Sequence, residues 1–292
     1  MVFGYLIQNR DKYMTTKQEA ILGDIQKLIG KSFTVFEDDK DSWIELVDIM
    51  PHPAQSITPE EAIVQAARTS YAGETKGYEK DMKLLKYLYV NRHTSPFEMV
   101  EFKFRLRAPL MVWFQWERHR TQSMNLESKR YSEVKEESMY IPSVWRKQST
   151  DNKQGSDGMI HKEDQQRAMR VMYENSYGTP TEDIMWGLCG DLTDENLPDF
   201  SETLRKHYSM GYEFYRTALK AGVGKEQARL FLGGFGVYYT GVVKVNARNL
   251  MHFLGLRMDE HAQWEIRQYA NVIHNEMFSK VMPVTAALIE QQ

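Results

Sequence analysis

Between Gln115 and Tyr131 the chain reads QWERHRTQSMNLESKRY. This short stretch gathers the cations Arg118, Arg120, Lys129 and Arg130, the imidazole of His119, the hydroxyls of Ser123 and Ser128, and the amides of Gln115 and Asn125. A planar guanidinium beside a hydroxyl is the usual equipment for holding a phosphate through paired, charge-assisted hydrogen bonds. The stretch grows out of an apolar run, Pro109–Trp116, in which Leu110, Met111, Trp113, Phe114 and Trp116 are apolar on nearly every face. That pattern predicts a buried helix with Pro109 at its first position. The helix would deliver Arg118 and Arg120 to its own C-terminal end, where cations also suit the helix dipole. Spacing alone leaves a helix cap and an anion site equally open. Ser128 and Arg130, following so closely, favour the site.

The order Arg118-His119-Arg120, seven residues, Ser128, then Arg130-Tyr131 resembles the signature of the flavin-dependent thymidylate synthases, the thymidylate synthase-complementing family. One departure is Asn125-Leu126-Glu127-Ser128, where the family commonly reads Asn-Glu-x-Ser. Upstream, Arg92-His93-Thr94-Ser95-Pro96-Phe97-Glu98 resembles the family's His-x-Thr-Pro-Phe-Glu loop, with Ser95 keeping a hydroxyl in place of threonine. Taken alone, that loop would only turn the chain into the next strand. Glu226-x-Ala228-Arg229 resembles the family's Glu-x-Ala-Arg, although Leu230-Phe231-Leu232-Gly233-Gly234 replaces the Leu-Pro that usually follows. Asn246-Ala247-Arg248, Leu250, His252, Phe253-Leu254, Leu256-Arg257 and His261-Ala262-Gln263-x-Glu265-Ile266-Arg267 match the family's C-terminal block. The resemblance covers about 43–146 and 222–285.

It implies an α+β fold, a single domain with an antiparallel sheet packed by helices, preceded by an N-terminal extension at 1–42 and carrying an insertion at about 147–221 of the 43–292 domain. It implies reductive methylation of dUMP to dTMP, in which methylenetetrahydrofolate supplies the carbon, FAD reduced by NADPH supplies the hydride, and tetrahydrofolate leaves. Arg257 would stabilise charge on the uracil ring. Ser128 would be a phosphate or base ligand, since no base stands beside it to make it a nucleophile. Flavin contacts would come from Ser95, Arg118, His119, Arg120, Asn246, Arg248 and His252. Nucleotide contacts would come from Gln115, Arg118, Ser128, Lys129, Arg130, Arg229 and Arg257. No metal is implied, and the assembly would be a homotetramer whose subunits share active sites. Leu126-Glu127, Ser95 and His252 keep a related pyrimidine nucleotide hydroxymethylase as an alternative.

Composition is consistent with these expectations. With 292 residues, 42% hydrophobic content and a net charge of -3, the chain can bury a full core and is not polybasic. A nucleic-acid-binding module built on Arg-His-Arg with Trp113 and Trp116 is therefore disfavoured. No apolar run of about 18 residues and no leader-like N-terminus is present, so neither a membrane span nor a secretory signal is expected. The single Cys189 rules out an intrachain disulfide and a cysteine-based zinc cluster, which fits a cytoplasmic protein. With no basic neighbour it should be an inert thiol.

The elements that must carry the site follow from periodicity. Trp43–Met50 alternates as a strand. Thr58, Pro59 and Glu61 form a capping box for a helix running to about Ser70, with Ile63, Ala66 and Ala67 inward. Glu79–Asn91 is a second helix on Met82, Leu85, Leu88 and Tyr89. Phe102, Phe104 and Leu106 alternate with Lys103, Arg105 and Arg107, a strand with one wet face. Met139–Arg146 should be extended, and 147–158 is a polar loop and candidate lid. Helices are expected at Glu163–Tyr177 and Phe200–Ala221, around Leu250, Phe253 and Leu254, and from Asp259 to Pro283 on Ile266, Tyr269, Ile273, Met277 and Val281. Asn246, Arg248 and Arg257 would need partners beyond an apolar core, because an unpaired buried arginine costs several kcal/mol.

Overall fold

The structure, a computed structural model, describes residues 14–70, 73–150, 156–176, 178–179 and 198–291. Its elements in order are α1 (Thr16–Leu28), β1 (Ser32–Phe36), β2 (Asp39–Met50), α2 (Pro59–Thr69), α3 (Tyr78–Val90), β3 (Glu101–Pro109), α4 (Leu110–Trp116), β4 (Ser123–Leu126), β5 (Arg146–Gln148), β6 (Ser156–Met159), α5 (Lys162–Ser176), α6 (Phe200–Lys220), α7 (Lys225–Ala228), β7 (Tyr238–Asn246), α8 (Ala247–Arg257), α9 (Trp264–Val272), α10 (Ser279–Val281) and α11 (Pro283–Ile289). The α+β class with an antiparallel sheet is as expected. Two compact units interleave along the chain, one of residues 1–108, 114–126 and 240–292, the other of 109–113 and 127–239.

The first unit is organised on a sheet of order β1-β2-β3-β7-β4. Phe102, Phe104 and Leu106 of β3 have no exposed surface, as their alternation requires. Two of the charged alternates are engaged as well. Arg105 pairs with Glu45, its direct partner on β2, at 2.9 Å, and Arg107 pairs with Asp41 at 3.1 Å. The capping box at α2 forms as predicted: Thr58 Oγ1 accepts from the Glu61 N–H at 3.3 Å, and Glu61 Oε2 accepts from the Thr58 N–H at 3.0 Å. A buried ion pair, Arg68 with Asp81, ties α2 to α3.

The stretch 1–42, expected as an extension ahead of the domain, packs into the first unit where it is described. Ile21, Leu22, Ile25 and Leu28 of α1 are buried, and β1 pairs antiparallel with β2. The ring of Phe36 stacks on Trp264 at 5.6 Å and meets Tyr269 edge-on at 5.7 Å. The hairpin between β1 and β2 turns at Glu37–Asp38, both exposed, and Asp39–Asp41 already belong to β2, while Phe36 before the turn is buried in the core. At the C-terminal end, Ile266, Tyr269, Ile273, Met277 and Val281 are fully buried. The helix begins at Trp264 rather than Asp259, because Asp259 Oδ1 accepts from the His261 N–H at 2.8 Å and holds a local turn instead. Its middle, Ile273–Phe278, winds as a π-helix. Pro283 opens α11, where its missing N–H leaves no helical bond unmade.

In the second unit α6 presents Tyr215 and Ala218 to a cluster of Val134, Met139, Ala228, Leu232 and Val237. The Tyr215 hydroxyl accepts from the Val134 N–H at 3.2 Å. Met139 bridges Val237, the extended conformation expected there. The described ends of the polar loop pair as β5 and β6; residues 151–155 and Cys189 lie outside the described residues. Pro109 closes β3 and α4 starts at Leu110. Trp113 is buried with its Nε1–H donating to the Tyr239 carbonyl at 3.0 Å, whereas Phe114 is 45% exposed, so α4 is not buried on every face.

Candidate active site

In the first unit three residues from distant blocks converge. Arg257 stands in the last turn of α8, and Gln115 and His119 lie in and just after the end of α4. The Arg257 Nε–H donates to His119 Nε2 at 2.9 Å, Nη1–H donates to Gln115 Oε1 at 3.2 Å, and Nη2–H donates to the Gln115 carbonyl at 3.1 Å. All three acceptors are neutral, so the positive charge is oriented without being cancelled. Burial lowers the Arg257 pKa below its ordinary range. The His119 ring meets Phe253 edge-on at 4.8 Å, and its pKa falls from 6.5 to about 4, first through burial, then through the charges of Arg257 and His252. His119 also borders a cavity of about 10 Å³ with Gln122, Asn249 and Leu250, too small for more than a water, so a nucleotide cannot lie there.

Around this cluster the remaining candidates divide by role. Asn246 is the N-cap of α8, its Oδ1 accepting from the Asn249 N–H at 3.0 Å. Arg248 pairs with Glu98, each side chain still partly open. Ser95 is exposed at the start of a 3-10 turn, Ser95–Met99. His252 is exposed, its ring 6.4 Å from His119. Arg118 and Arg120 are exposed and form no ion pair with a described residue. A depression of about 260 Å³ is lined by Glu101, Thr121, Gln122, Ser123, Lys244 and Asn246.

In the second unit Ser128 Oγ accepts from the Arg130 N–H at 3.3 Å, and the Ser128 carbonyl accepts from the Tyr131 N–H at 3.1 Å, a tight turn that leaves Arg130 exposed. Lys129 points inward. It is 6% exposed, its Nζ lies 2.6 Å from Glu127 Oε1, and it sits over the Tyr239 ring at 5.4 Å. Its charge is therefore met inside the protein, a partner the sequence reading missed although the two residues stand only two apart. Arg229 Nε–H donates to the Lys225 carbonyl at 3.3 Å, and the Lys225 ammonium reaches the Tyr131 carbonyl at 3.5 Å. Glu98 and Phe253 were also missed as partners; each was visible in a matched block, but nothing local assigns it to Arg248 or His119.

The chain belongs to the thymidylate synthase complementing protein family, Thy1, which matches residues 53–284. Among relatives, a flavin-dependent thymidylate synthase of Thermus thermophilus is 40% identical over 230 residues, 79% of this chain and 71% of that protein. That of Dictyostelium discoideum is 36% identical, covering 85% of this chain and 70% of its own. Among solved structures, a UMP/dUMP methylase, PolB from Streptomyces cacaoi, bound with 5-Br dUMP, superposes with a TM-score of 0.63 at 29% identity, over 86% of this chain and 95% of that one. Its complex with 5-Br UMP gives 0.62. Among the described residues no helix is long and apolar enough to cross a membrane.

Proposed function

We propose that this chain is a flavin-dependent thymidylate synthase: dUMP, methylenetetrahydrofolate, NADPH and a proton give dTMP, tetrahydrofolate and NADP⁺. The family membership and the named relatives support methylation of dUMP with FAD. When bound, FAD supplies the redox chemistry, passing reducing equivalents from NADPH to the transferred carbon. The surface fits such a cofactor. Arg118 and Arg120, unpaired among described residues, would hold its diphosphate, and Thr121, Gln122, Ser123 and Asn246 in the depression offer polar groups for its remaining hydrogen bonds. Ser95, His252 and Arg248 would border it.

The observation that carries the reading is the convergence of Gln115, His119 and Arg257. Arg257, held by neutral acceptors, would present its remaining N–H groups to the uracil as negative charge builds there, a preorganised electrostatic contribution. Arg130, Arg229 and Ser128 would take the nucleotide phosphate, while Lys129, engaged with Glu127, would shape the turn between Ser128 and Arg130. A cytoplasmic homotetramer with shared sites completes the proposal, motivated by more arginines in the matched blocks than one pocket needs. The test is a purified yellow protein converting dUMP to dTMP only when methylenetetrahydrofolate and NADPH are both supplied. Hydroxymethylated dUMP or dCMP as product would favour the hydroxymethylase instead. Sedimentation of a flavin-bearing monomer would remove the tetramer.

A further inference from the structure

We infer that His119 is a positioning residue, held as one neutral tautomer with its hydrogen on Nδ1, whose Nε2 lone pair orients the Arg257 guanidinium. A guanidinium can only donate, so the 2.9 Å contact between Arg257 Nε and His119 Nε2 requires the imidazole nitrogen to accept. An imidazolium would set N–H against N–H and bring two cations into contact. The tautomer is thus decided by the partner's chemistry. The ring is fixed from a second side by Phe253 at 4.8 Å, and the same guanidinium is held by both oxygens of Gln115.

The choice of imidazole over carboxylate has a consequence. A carboxylate at this position would accept a stronger hydrogen bond but would cancel the charge that an electron-rich ring is meant to meet. A neutral acceptor fixes direction and leaves the charge intact. The titratable groups that face His119 are Arg257 and, on the same helix, His252; both oppose its protonation, as does its burial. His119 should therefore stay neutral throughout the range in which an ordinary histidine titrates. Its role in turnover rests on Arg257 meeting the uracil as proposed above; its tautomer does not.

The test has two arms on the flavin-loaded protein. In ¹⁵N NMR of the histidine side chains, His119 should show a protonated Nδ1 and a bare Nε2, unchanged between about pH 5.5 and pH 8; titration near 6.5, or hydrogen on Nε2, would overturn the inference even if dTMP is made. In kinetics, His119→Leu should lower kcat about tenfold or more at unchanged flavin content, and His119→Gln, which offers a neutral oxygen to Arg257, should recover most of that loss. His119→Glu should not recover it. Equal rescue by Glu and Gln would overturn the role of neutrality, and loss of flavin from His119→Leu would make His119 a cofactor ligand instead. Failure of the parent protein to form dTMP would sink the proposed function while leaving the NMR result to stand or fall by itself.

Discussion

Glu60, in the first turn of α2, is 1% exposed, and its Oε1 accepts from the backbone N–H of Thr285 at 2.7 Å and from the Thr285 hydroxyl at 2.9 Å. Burial raises its carboxyl from the ordinary 4.5 to about 7, against the opposing effects of Thr285, the Val284 backbone and the Lys17 ammonium. The neighbouring Tyr78 hydroxyl, pushed up to about 12 by burial and then by Glu60 and Glu61, is buried without a hydrogen-bond partner. Because the folded state holds the Glu60 proton more tightly than the unfolded chain, this group's stabilisation is complete below about pH 4.5 and is lost as pH rises through about 7. At about 1.4 kcal/mol for each tenfold change in proton affinity, the full span is roughly 3 kcal/mol. Glutamine keeps an oxygen for Thr285, can offer its amide to Tyr78 and cannot ionise. Glu60→Gln should therefore leave the unfolding free energy near pH 4.5 unchanged and raise it by about 2–3 kcal/mol at pH 8. Urea unfolding followed by circular dichroism at the two pH values measures this. Parallel pH dependence in the parent and the variant would show that Glu60 does not carry the buried ionisation cost.

Arg257→Ala should keep its flavin, seen in the absorbance spectrum, and lose turnover by about a hundredfold or more, since charge stabilisation beside the reacting ring is removed. Arg130→Ala and Arg229→Ala should each weaken dUMP about ten- to a hundredfold in equilibrium binding while FAD affinity stays constant, and unchanged dUMP affinity in both would take them out of the site. Cys189→Ala should retain nearly full dTMP formation and NADPH consumption, because the flavin route needs no thiolate; a folded, flavin-loaded but inactive variant would contradict that mechanism.

Much of the frame was legible because it is set by contacts a few residues apart. The Thr58–Glu61 capping box closes on itself, the alternation of Phe102, Phe104 and Leu106 sorts one face inward, and the stripe from Ile266 to Val281 needs only helical spacing. Local pattern misled where one residue can serve two geometries: Asp259 reads as a helix start but closes a turn.

The sequence by itself determined the strongly periodic elements and which cations are available, because propensity, periodicity and motif spacing are local quantities. Only the tertiary structure decided what each cation meets. Arg257 finds His119 across 138 residues and Gln115 across 142, Arg248 finds Glu98 across 150, and Lys129 turns inward to Glu127 and the Tyr239 ring. Hydrogen-bonding groups of one type are interchangeable in a sequence and become distinct only when closure of long loops places one acceptor, and not another, within about 3 Å.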